Sequence, residues 1–74
     1  MKTSLSKFLK KQRKSNGLNQ RDLALKVGVG LRFIRNIEQG KKTIRIDKVN
    51  SVLRLFGYEL FPQSLKDLKK NNQV

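Results

Sequence analysis

LNQRDLALKVGVGLRFIRNIEQG, residues 18–40, reads as two short helices around a tight turn. The first runs from Asn19 to Val27. Asn19 suits its N-cap, because the side-chain oxygen can accept from a free backbone N–H of the first turn. Leu23, Ala24 and Val27 form one apolar stripe. Gly28 stands where the helix should stop, since glycine enters the left-handed C′ conformation at little cost. Val29 is an apolar plug in the turn. Gly30 opens the second helix, Leu31 to Gln39, with Ile34 and Ile37 facing inward, and Gly40 closes it.

Upstream, Ser4 is expected to cap a helix that runs to about Ser15 and ends at Asn16-Gly17, with Met1 to Thr3 loose. Leu5, Phe8, Leu9 and Gln12 make its inner face. Lys7, Lys10, Lys11 and Lys14 lie mostly outside, as a solvated face or a phosphate-facing patch. Arg13 continues the inner edge, four residues beyond Leu9.

Downstream, the basic loop Lys41-Lys42-Thr43-Ile44-Arg45 precedes a helix expected from Ile46 to Phe56. Ile46, Val49, Val52, Leu53 and Phe56 recur at helical spacing and read as core, and Asp47 suits the positive end of the helix dipole. Gly57 stops this helix. Tyr58-Glu59-Leu60-Phe61, bounded by Gly57 and Pro62, reads as a short β-strand. A lone strand in a helical domain leaves backbone groups unpaired and invites another chain, most simply its own copy across a two-fold axis. The alternative is an extended tail that covers the core through Leu60 and Phe61. Residues 64–74 read as a short C-terminal helix and tail, with one or two turns over Ser64 to Lys70 and fraying from Asn71 onward.

Composition narrows the function. With 74 residues, 1–74 is expected to be a single domain with a small core, which dimerisation would support. No cysteine and no histidine are present, so the thiolate and imidazole metal ligands and the commonest general base are missing. The five acids stand singly, and no enzyme activity, cofactor or metal site is expected. Eighteen Lys and Arg give a net charge of +13, which points to a polyanionic partner: nucleic acid first, an anionic membrane surface second. A membrane-lying amphipathic helix would need one continuous basic–apolar helix, and Asn16-Gly17 interrupts this one. Aromatic RNA-binding sheet motifs are missing as well. No stretch has transmembrane length and no signal peptide leads the chain, so a cytoplasmic location is expected.

The spaced set LNQ at 18–20, LA at 23–24, G at 28 and I-x-x-I-E-x-G at 34–40 resembles the lambda-repressor-like (Cro/CI, or XRE) helix-turn-helix family. The resemblance implies an all-α fold. It would be a compact domain of four to five helices that binds DNA, here with the short C-terminal β-strand added. It also implies a pairing of Arg13 with Glu38 that ties the first helix to the recognition helix. A guanidinium can hold a carboxylate through two hydrogen bonds, and removing one buried partner costs on the order of 3–5 kcal/mol.

Base readers in the resembled family match Leu31, Arg32 and Asn36. Arg32 suits guanine and Asn36 adenine, and Arg35 can reach a base or a phosphate. Leu31 departs from the polar residues common at its place and can only touch a thymine methyl. Gly30 departs from the common Ser or Thr, which removes one phosphate contact. Phe33, at the start of the helix, is expected to pack near the turn. Phosphate contacts are implied for Asn19, Gln20, Lys41 and Lys42, with Gln20 also buttressing the recognition helix.

Within that family, GVGLRFIRNIEQGK followed by a helix and Tyr58-Glu59-Leu60 is most similar to HipB-type antitoxins. That likeness implies a homodimeric repressor on a palindromic double-stranded DNA operator, with a HipA-type serine/threonine kinase as toxin partner. A phage Cro/CI-like repressor without a toxin, or a kinase-inhibiting module with little DNA role, would share these motifs.

Overall fold

The computed structural model describes residues 3–62. They form four helices: α1 (Ser4–Ser15), α2 (Gln20–Val27), α3 (Leu31–Glu38) and α4 (Ile46–Arg54). The starts of α1 and α2 have a local cause. Thr3, expected to be loose, is the N-cap of α1, and Ser4 lies inside the helix rather than capping it. The Thr3 hydroxyl accepts from the Ser6 N–H at 3.0 Å, and the Ser6 hydroxyl accepts from the Thr3 N–H at 2.8 Å. This reciprocal box satisfies two donors that a Ser4 cap would leave to water, and it buries Ser6. Asn19 and Asp22 make the same box at the start of α2. Gly28, at φ +83°, ends α2 in the left-handed region. Its N–H and that of Val29 both donate to the Ala24 carbonyl.

The core is Leu9 of α1, Leu23 and Ala24 of α2, Ile34 and Ile37 of α3, and Val49, Val52 and Leu53 of α4. α3 sits at the centre, with α1 and α2 both packed against it, while α2 also meets α4. Leu18 and Val29 plug the two turns, and Ile44 pins the loop between α3 and α4. Among the described residues eight buried apolar side chains make a small core, so each contributes a large share of the stability.

Three expectations for the second half of the chain are corrected. α4 stops at Arg54, two residues before Phe56, and a turn over residues 55–57 follows. Ile46 is 63% exposed rather than core: as the first residue of α4 it lies at the mouth of the helix, beside Leu60, Phe61 and Pro62. Finally, no strand occurs among the described residues, and residues 58–62 follow α4 without a ladder.

The backbone of this last segment also has partners at home. The Tyr58 N–H donates to the Leu53 carbonyl at 3.0 Å, and the Leu60 N–H donates to Asn50 Oδ1 at 2.7 Å. The Tyr58 ring meets Phe8 of α1 edge-on, centroids 4.7 Å apart. Glu59 bridges to Arg54 at 3.3 Å. The helix or tail expected over 64–74 lies outside the described residues.

Candidate nucleic-acid interface

The geometry of α3 follows from its stripe. Ile34, Ile37 and Glu38 are buried, which turns Arg32 and Arg35 to the solvent and leaves Leu31 and Asn36 at the half-buried margins of the same outer face. A helix with one apolar side gripped by α1 and α2 presents the other as a rigid, exposed ridge. Gln39, the exposed C-cap residue, stands four positions on from Arg35 and extends that ridge. It was legible only as a helix end from sequence, since a cap and an outward polar residue look alike there. Phe33 is half-buried and packs against the core cluster, so it supports the ridge from beneath.

Two elements, α1 and α2, hold α3 through one carboxylate. Arg13 of α1 donates from Nε to Glu38 Oε2 at 2.7 Å and from Nη2 to Glu38 Oε1 at 3.0 Å. Its Nη1 donates to the Leu18 carbonyl at 2.9 Å, in the loop that leads to α2. Gln20, the first residue of α2, donates from Nε2 to Glu38 Oε1 at 3.2 Å. Arg13 and Glu38 are 8% and 4% exposed. A pair this dry is tolerable only because its donors and acceptors are satisfied, and no buried side-chain polar atom among the described residues lacks a partner. The network fixes α3 relative to the start of α2.

The flanks are basic. Lys41 and Lys42 are exposed in the loop after α3, and the Lys41 N–H donates to the Asn36 carbonyl at 3.1 Å, which holds the loop's first residue at the end of the ridge. Arg45, further along, is bonded to Asp47, with Nη2 to Oδ2 at 2.8 Å. That bond, chiefly, keeps the exposed Asp47 carboxyl below its ordinary range. At the start of α2, Asn19 uses its side-chain oxygen on Asp22 N–H at 2.7 Å, so only its amide nitrogen remains to meet an anion. The Asp22 carboxylate also offsets some of the positive dipole there.

Of the five acids in the chain, Asp67 lies outside the described residues. The other four are all engaged: Asp22 in the capping box, Glu38 with Arg13, Asp47 with Arg45, and Glu59 with Arg54. None stands on the outer face of α3 beside Arg32, Arg35 and Asn36. Among the described residues no group of His, Cys, Asp or Glu could hold a metal ion, and no helix is long and apolar enough to cross a membrane.

Residues 9–62 match a family model described as helix-turn-helix. The segment spans from Leu9 of α1 to Pro62 and takes in α2, the turn, α3 and α4. The chain is also similar to an uncharacterised HTH-type transcriptional regulator, y4mF, of Sinorhizobium fredii (strain NBRC 101917 / NGR234). The two are 51% identical over 45 residues, which is 61% of this chain and 59% of the relative. The match therefore spans less than two thirds of that relative's length.

Proposed function

Because this chain belongs to the helix-turn-helix family, we propose that it is a sequence-specific DNA-binding transcriptional repressor that acts as a homodimer on a palindromic operator. One observation carries this reading: α3 presents Arg32, Arg35 and Asn36 on a face without acids, and is locked from behind by Arg13 and Gln20 through Glu38. Arg32 bonds guanine O6 and N7, Asn36 bonds adenine N6 and N7, and Leu31 touches a thymine methyl. Arg35 adds a base or phosphate contact. Lys41, Lys42, Asn19 and Gln20 meet phosphates and set the register of the helix in the major groove. A family relative bearing the name of a transcriptional regulator agrees with this.

The finer role we propose is that of an antitoxin that represses its own operon and binds a HipA-type serine/threonine kinase. The similarity of residues 28–41 and 58–60 to HipB-type antitoxins supports it. A cytoplasmic location goes with that role. Footprinting on the chain's own promoter tests the repressor: two protected segments about one helical turn apart are expected. No protection at any concentration that also leaves random DNA unbound would refute it. Co-purification with the product of an adjacent kinase gene tests the antitoxin role separately.

A further inference from the structure

Leu31, the first residue of α3, is half-buried. Its apolar neighbours in sequence, Val27, Val29 and Phe33, pack against the core, whereas Leu31 does not. An apolar side chain at this place therefore adds nothing to the core. Gly30, just before it, is equally unforced. Its φ of −72° is open to any residue, and a Cβ placed there would meet no heavy atom within 4 Å beyond its chain neighbours. Neither backbone nor packing asks for glycine at 30 or leucine at 31, and the missing side chain leaves open space beside Leu31.

The outer face of α3 otherwise carries groups that read by hydrogen bonds. Arg13, Arg45 and Arg54 each hold a carboxylate, while Arg32 and Arg35 hold none among the described residues. Leucine has neither donor nor acceptor. The major-groove edges of the base pairs offer it one apolar feature, the C5-methyl group of thymine. 5-Methylcytosine carries the same methyl on the same ring carbon. In the groove it differs from thymine by an amino group in place of a carbonyl, which only a hydrogen-bonding side chain can read.

Resting on the DNA-binding reading above, we infer that Leu31 is a C5-methyl reader, blind to the base that bears the methyl. At the position it meets, the preferred DNA ligand of this chain holds thymine or 5-methylcytosine, and plain cytosine or uracil binds more weakly. Where a half-site carries cytosine at that position, methylation of the cytosine raises the affinity. Losing a methyl from an apolar contact costs about fourfold in binding, as for one buried methylene group. On a palindromic operator the two half-sites multiply, to about fifteenfold.

The test uses the full chain and an operator duplex selected from random sequences. Each thymine of the half-site is replaced in turn by deoxyuridine, in both half-sites at once, which removes the methyl and leaves the base pair unchanged. Binding titrations should show one position at which the replacement costs about fifteenfold. With C·G placed at that position, 5-methylcytosine should bind more tightly than cytosine by a similar factor. Leu31→Ala should weaken binding to the thymine operator and bind its deoxyuridine form equally well. Because Leu31 lies off the core, urea unfolding of this variant should match wild type.

A selected operator on which no deoxyuridine costs as much as twofold would overturn the inference and leave the repressor standing. Methyl dependence that survives in Leu31→Ala would give the contact to another side chain. Equal binding of cytosine and 5-methylcytosine, beside a clear loss with deoxyuridine, would show that the base is read as well as its methyl. A selection that yields no preferred sequence would overturn the repressor reading itself.

Discussion

Arg13 grips Glu38 through two hydrogen bonds of 2.7 and 3.0 Å across 25 residues of chain, and both side chains are buried. The pair joins the end of α1 to the end of α3 and thereby aims the outer face of α3. Removing one partner leaves the other charged and dry. Glu38→Ala should therefore destabilise the domain by about 3–5 kcal/mol, enough to unfold a protein of this size. The double replacement Arg13→Met, Glu38→Leu should recover most of that loss. Urea unfolding of the two variants checks this. A Glu38→Ala protein within about 1 kcal/mol of wild type would mean that water reaches the site.

The exposed end of the ridge and the loop beyond it should separate by specificity. Arg32→Ala should lose about 1–3 kcal/mol on the cognate operator and flatten the preference at one or two base pairs. Lys41→Ala should weaken cognate and random DNA alike. Binding titrations on both DNAs make the comparison. Equal loss on the two by Arg32→Ala would assign Arg32 to a phosphate.

Affinity should fall steeply with salt, because each phosphate neutralised releases about 0.9 of a counterion. Lys42→Ala should reduce the slope of log affinity against log salt by roughly one unit for each phosphate that it no longer neutralises. A slope unchanged by Lys41→Ala and Lys42→Ala together would assign the phosphates to other basic residues, with the α1 lysines next to be tested.

Asp47 offers a check on the loop before α4. Its carboxyl is held below its ordinary value of 3.8, first of all by the side-chain hydrogen bond from Arg45. A depressed folded-state pKa contributes stability above the unfolded value, and that contribution fades as pH falls through the lower, folded one. Both side chains are about two-thirds exposed, so the effect is small. The stability difference between wild type and Arg45→Ala should be present at neutral pH and shrink in acid below 3.8. NMR titration of the Asp47 carboxyl should show its midpoint rise in that variant. A difference that grows in acid would reverse the sign.

Much of the helical layout was legible in the sequence because helix ends are local. Asn19 needs only Asp22 three residues on, and Gly28 ends α2 whatever surrounds it, since its φ of +83° is open to glycine at little cost. The stripe Leu23, Ala24 and Val27, and the pair Ile34 and Ile37, follow from the period of the helix alone. The capping box of Thr3 and Ser6 was equally local, but the adjacent Ser4 offered an equivalent hydroxyl, and only the backbone path chose between them.

The remainder depended on which elements meet. Ile46 fits the apolar period of α4, yet nothing in that period says that the first turn of the helix projects past the core, and there it is exposed. Residues 58–62 have the composition of a strand, but Leu53 and Asn50 take two of their N–H groups, a competition invisible until α4 and the segment lie side by side. The bond from Gln20 to Glu38, 18 residues away, likewise exists only because α2 packs on α3. Sequence determined the helices, the turn and the basic outer face of α3, through interactions within a few residues. Tertiary structure decided where α3 points, because that rests on packing between distant segments.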